Sequence, residues 1–197
     1  FEGTSNGGWA DGYYWNVHSD NYLERVDLDK AGLWNLEEVT SLPVIITEAG
    51  YATFYAPVAV TVPAGVTAHT VTVNGEWATL NEIEGGVIPA NTGVVLSGEA
   101  NTYNLTITEE ATETIESGLE GTVASTYITK EAYALGYINV AEQGQPEQKE
   151  VGFFTANMTN GQWLNNGFKA YLPKVTGNKT LRFNFGGNTT GIEDAIV

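Results

Sequence analysis

The sequence predicts an all-β chain, an antiparallel β-sandwich of jelly-roll or immunoglobulin-like kind preceded by a short aromatic-rich N-terminal segment. Thr and Val are abundant, and short runs alternate apolar with polar residues. Gly, Asn and Pro interrupt those runs at spacings of roughly 8 to 12 residues, the pattern of sandwiches and barrels. The 197 residues are 42% hydrophobic and only 16% charged, which excludes collagenous, coiled-coil and disordered classes and leaves enough apolar chain for a core.

The elements follow in order. Val58, Val60 and Val62 share one face of a strand. Val71 and Val73 lead into Asn74-Gly75, a dipeptide suited to a type I′ hairpin, and Glu76 to Leu80 returns. Val87-Ile88 and Val94 to Leu96 are uninterrupted apolar runs, as in strands covered on both faces. Between them Pro89-Ala90-Asn91-Thr92-Gly93 reads as a turn: Pro fixes φ early, while Asn91 and Gly93 tolerate φ above zero. Tyr103 to Thr108 is the next strand. Glu109 to Gly118 is helix-compatible, with Glu109, Glu110 and Glu113 placed to favour a first turn through the helix dipole; a loop crossing between sheets fits it equally. Ala134 to Val140, Gly152 to Thr155, Ala170 to Leu172 and Leu181 to Phe185 complete the series. In the last of these, Leu181, Phe183 and Phe185 face away from Arg182 and Asn184.

A composition shift near Pro43 suggests three parts. Residues 1–42 hold Trp9, Trp15 and Trp34 with Tyr13, Tyr14 and Tyr22, and are marginal in length for a core of their own. Residues 43–187 read as the sandwich module and 188–197 as a tail. The chain starts at Phe1 and its one Met is Met158, so a piece of a longer polypeptide is expected. The longest uncharged run, Ala49 to Gly75, is broken by Pro57 and Pro63 and rich in Thr; no membrane insertion is expected.

Asp and Glu number 24 against 8 Lys and Arg, a formal net charge of −16, and no cation lies between Lys30 and Lys130. Such a chain repels phosphate backbones and anionic lipid, so no nucleic-acid partner is expected. Half of the cations, Lys169, Lys174, Lys179 and Arg182, fall near the C-terminus, where they solvate strand faces or meet an acidic partner. With no Cys, disulfides, thiolate metal sites and thiol chemistry are excluded.

Candidate chemistry is sparse. Asp27-x-Asp29-x-Ala31-Gly32 with Glu38 at the twelfth position follows a calcium-loop template, but Ala31 stands where an oxygen ligand belongs and flanking helices are not evident; calcium is the one cofactor considered, set against a solvated acidic turn. Trp9, Tyr13, Tyr14 and Trp15, with Asn16 nearby, offer rings on which a sugar could stack; the same rings also suit burial against a neighbouring domain. Trp77 and Trp163 raise the same choice, Trp77 being expected to pack across the hairpin. Glu82 and Glu84 are the paired carboxylates a glycosidase would need, yet they sit beside Gly85-Gly86 in an expected loop. His18 and His69 lack a nucleophile-elbow phrase for a serine triad, and two His without Cys argue against zinc.

Several phrases carry a resemblance: Trp34-Asn35-Leu36-Glu37, Gly50 to Val60, Ile88 to Leu96, Arg182 to Gly186 and Thr190 to Glu193. Together they resemble a family of C-terminal β modules in large secreted and surface proteins of Bacteroides and related gut bacteria, over roughly residues 34–191. The resemblance implies export to the cell surface or medium, neighbouring lectin-like or glycan-degrading domains as partners, and no catalytic residue. The expectation is a non-catalytic accessory, spacer and interaction module. The alternatives are a carbohydrate-binding module using the N-terminal aromatics and, third, a glycan hydrolase.

Overall fold

The computed structural model describes residues 13–17, 23–27, 38–109, 114–140, 148–175 and 177–185. Two units separate, Phe1–Glu38 and Val39–Val197. In the first, strands β1 (Tyr13–Val17) and β2 (Leu23–Asp27) pair antiparallel, Tyr13 opposite Asp27 and Val17 opposite Leu23.

The second unit is all-β. Its strands are β3 (Ser41–Ile46), β4 (Tyr51–Phe54), β5 (Val60–Thr61), β6 (Val66–Asn74), β7 (Trp77–Glu82), β8 (Val87–Ile88), β9 (Val94–Gly98) and β10 (Asn101–Ile107). They continue as β11 (Glu120–Thr122), β12 (Thr126–Ile128), β13 (Ala132–Val140), β14 (Gln148–Thr155), β15 (Trp163–Asn165), β16 (Lys169–Pro173) and β17 (Thr180–Phe185). One sheet has the order β3-β10-β5-β8, a large one β11-β16-β13-β14-β17-β7-β6-β9-β4, and β12-β15 form a ribbon. Among the described residues every pairing is antiparallel except one: β17 lies parallel to β7, Arg182 opposite Trp77. Pro43, where the composition shifts, lies inside the edge strand β3 and is exposed, a position where its missing N–H costs nothing.

The large sheet has a core on each side. Val44 and Ile46 of β3, Leu105 of β10 and Val60 of β5 meet Phe54 of β4, Ala68 of β6, and Val94 and Leu96 of β9 in the first core. Strand alternation sends the intervening residues the other way. Val95 and Val71 join Leu80, Tyr133, Phe153, Leu172 and Leu181 in the second core, inside the curl of the same sheet. Val94, Val95 and Leu96 are all 0% exposed, so the uninterrupted apolar run marks a strand buried on both faces. On β17, Phe183 rests edge-on against Tyr51 and Phe153, on the face that Leu181 also uses.

The curl is fastened where β4 ends and β16 begins. Tyr55 N–H donates to Phe168 C=O at 3.1 Å, and Phe168 N–H donates to Thr122 C=O at 2.8 Å. Phe168 takes a left-handed φ of 57°, which a bulky residue adopts only when its surroundings impose it. The Tyr55 ring lies directly over Gly121, so that a Cβ there would overlap it.

Three local expectations are corrected, and at a fourth place one of two alternatives is favoured. The β6–β7 hairpin pairs Asn74 with Trp77, so the loop is Gly75-Glu76. Gly75 has φ 61° and Glu76 is not among the positive-φ residues, the sign pattern of a type II′ turn with Gly first. The Asn-Gly turn with both φ positive lies instead at Asn160 (52°) and Gly161 (76°), between the bridged Thr159 and Gln162. In the Pro89–Gly93 turn Asn91 does have φ 61°, but Gly93 is needed for close approach, since a Cβ would meet Leu119 Cβ at 2.7 Å. Val60 is buried and Val62 packs beside it, whereas Val58 precedes the two-residue β5 and is exposed. Of Glu109 to Gly118, the described residues 109 and 114–118 are not helical and residues 110–113 lie outside the described ones, so the loop crossing is the alternative that fits. Ile115 packs on the first core, Gly118 N–H donates to Val71 C=O at 2.7 Å and Leu119 enters the second core, so the chain crosses from one to the other.

Gly121→Ala should lower unfolding free energy by about 1–3 kcal/mol, the usual cost of overpacking. Chemical denaturation followed by circular dichroism reads this out. In a Tyr55→Ala background the added methyl has room, and the same change should cost little.

Candidate functional site

Two depressions meet over β15. The first, about 560 Å³, opens between β4, the Ala134–Tyr137 part of β13, and β15–β16. It exists because β16 pairs with β13 only at Ala132 and Tyr133, while β13 runs on to Val140. The second, about 540 Å³, lies on the far side of Leu164 and takes its wall from Tyr127 and the Asn157–Gln162 turn. Both volumes fall in the range of small-molecule sites. Trp163 and Leu164 border both.

The ribbon sets which groups face outward. Tyr127 pairs with Leu164 and Ile128 with Trp163. Ile128 and Trp163 turn inward onto Ala132 and Tyr171, the Trp163 ring meeting Tyr171 edge-on at 5.3 Å, with its indole N–H donating to Lys130 C=O at 3.3 Å. The opposite face leaves Tyr127 62% and Leu164 46% exposed, and Tyr137 of β13 is 50% exposed. Around these rings stand the amides of Asn157, Asn160, Gln162 and Asn166. Asn165 is committed to the scaffold: its amide donates to Thr122 Oγ1 at 2.8 Å and to Lys169 C=O at 2.9 Å, holding the 166–168 turn.

The electrostatics are unlike those of the rest of the chain. No Asp or Glu is among the described residues that line either depression, although 24 of 197 residues are acidic. Lys169 is the single charged residue of that lining, and burial holds its ammonium below the usual lysine range. Tyr171 donates to Glu120 Oε2 at 2.8 Å; burial first, then that hydrogen bond and the carboxylate's charge, push its phenol up to about 12. It therefore stays a donor to Glu120 throughout the physiological range.

Of the candidate residues singled out from sequence, Trp163 and Lys169 belong to the lining of the depressions and the other described ones do not. Tyr13, Tyr14, Trp15 and Asn16 are consecutive in β1, and Asp27 closes β2, so a strand enters the acidic loop. Trp9, Asp29 and His18 lie outside the described residues, as do residues 186–197. Glu38 is exposed. Among the described residues no cluster of three His, Cys, Asp or Glu side chains could hold a metal. Glu82 ends β7 and Glu84 opens a 3₁₀ turn, Glu84–Gly86; both are exposed, with Ile83 buried between them. Trp77 is 41% exposed and not packed across the hairpin, because the two-residue loop places it at the very end of the pair. Trp163 is packed.

Sequence reasoning missed one pair, Ser97 and His69. His69 Nε2 lies 2.9 Å from Ser97 Oγ, but Nδ1 is buried with no hydrogen-bond partner in the structure, so the acid that would orient a catalytic imidazole is missing. Ser97 also sits mid-strand in β9 instead of on a sharp strand–helix turn. The groove residues were missed too, although five amides flank Trp163 between positions 157 and 166. Compared with known proteins, the chain matches no family model, no curated protein and no solved structure.

Burial lowers the His69 pKa, with Glu82 opposing, and Phe185 stacks edge-on at 6.5 Å. The folded state prefers the neutral ring, so its contribution is whole above the unfolded value near 6.5 and fades as pH falls through the lower folded value. Thermal melts from pH 7.5 to 4.5 should show His69→Asn losing less stability on acidification than the parent.

Proposed function

We propose that this chain is a non-catalytic accessory module of an exported bacterial surface or secreted protein, a stiff β spacer that positions neighbouring domains and offers a binding face. One observation carries the reading: β9, and with it β6, is buried between both cores. A load that parts one core must therefore disturb the strands that wall the other. The phrases behind the family resemblance support it as well. Gly50 to Val60 supplies Phe54, Ala56 and Val60 of the first core, and Ile88 to Leu96 supplies Ile88, Val94 and Leu96 of that core with Val95 of the second. They build the body and not a catalytic constellation.

Stretched between reference domains in a single-molecule experiment, residues 39–197 should rupture in one event, and should melt in one transition seen alike by circular dichroism and tryptophan fluorescence. Two separate ruptures would remove the spacer reading. Turnover of any substrate in a panel of glycans, peptides and esters would remove the non-catalytic one.

A further inference from the structure

We propose that the paired depressions either side of Leu164 bind a short glycan carrying a sugar carboxylate, with Tyr127 and Tyr137 as stacking faces, the Asn157, Asn160, Gln162 and Asn166 amides on the hydroxyls, and Lys169 on the carboxylate. This site is built from residues of the second unit alone and adds a ligand to the accessory role, whatever the neighbouring domains do.

Three features converge. Half-exposed tyrosine rings present flat apolar faces with a polar tip, which suits a pyranose whose C–H face is apolar and whose rim is hydroxylated. Amides donate and accept together, matching hydroxyls, which also do both. The third feature selects the acidic sugar. Lys169 is half-buried, no described carboxylate pairs with its ammonium, and the lining around it has no acid in a chain of net charge −16. Half-burying an ammonium with no described carboxylate beside it is unfavourable, and a ligand carboxylate would supply a partner in a charge-assisted hydrogen bond. A single carboxylate is tolerated where a polyanion is not, because no described acid lines the depressions and charges further off are screened by salt.

An acidic peptide is the competing occupant. It would use the lysine equally but would not need two exposed rings set among neutral amides.

The test uses the whole chain on an array of oligosaccharides in matched pairs, each uronate- or sialate-bearing sugar beside its methyl-ester counterpart, with acidic peptides alongside, and calorimetry on the hits. Binding should favour the carboxylate member by about tenfold, the usual worth of one charge-assisted hydrogen bond. Lys169→Met should erase that preference, while Tyr127→Ala and Tyr137→Ala should weaken both members and Trp15→Ala neither. Each variant is checked by its melting temperature; if Lys169→Met does not melt as the parent does, Lys169→Gln and Asn166→Ala carry the test. No binding across the array, equal binding of acid and ester, a preference that survives loss of Lys169, or binding of the peptides instead overturns the proposal.

Discussion

The constraint on which the second unit rests is that β6 and β9 have no solvent face where it matters. A strand in an ordinary sandwich puts alternate residues into water. Here Val94 and Leu96 fill one core and Val95 the other, and along β6 Ala68 and Val71 do the same. Neither core can relax around a lost methyl without moving a wall of its neighbour, so packing is shared between them. The crossing segment reinforces this: Ser117 Oγ donates to Gly93 C=O at 2.7 Å, tying the loop between the cores to the turn that starts β9.

The same curl makes the groove. A sheet that wraps around its own core brings distant strands together, and here Tyr55 and Phe168 make the join while β16 leaves β13 after two pairs. The space left beside β13 is then bordered by β15 of the β12–β15 ribbon, whose inward face is apolar and whose outward face is wet. Left-handed φ angles at Asn160, Gly161 and Phe168 bend the chain at both ends of that ribbon's second strand. The site is thus a by-product of closure geometry, with its polar groups on turns and its rings on strands.

Much of the architecture was legible in the sequence because period-two alternation and double-sided apolar runs reflect burial directly. Val94 to Leu96 announced a strand covered on both faces, and Leu181 and Phe183 announced the inward face of β17, although Phe185 at its end is 52% exposed. Turn chemistry was less legible. Asn74-Gly75 and Asn160-Gly161 look alike to a local rule, and only the register of the flanking strands decides that Gly75-Glu76 forms one loop and Asn160-Gly161 the other. The groove was not legible, since its walls come from residues 45–53, 127, 134–137, 151 and 156–171, which no local window contains. Ser97 meeting His69 is of the same kind, a contact made by strand pairing across 28 positions.

The parallel pairing of β7 with β17 also has a meaning in time. Among the described residues, every fully buried member of the first core lies between Val44 and Leu105, with Leu42, Ile107 and Ile115 at its margin, so most of that core can close as soon as those strands exist. The second waits for Leu181, which reaches β7 from about a hundred positions further along the chain. Long-range closure of this kind is slow, and until it happens the outer faces of β6, β7 and β9 stand open to water. A chain emerging from a ribosome or through a membrane pore would complete its first core early and its second only once β17 has arrived. That strand is therefore also the latch.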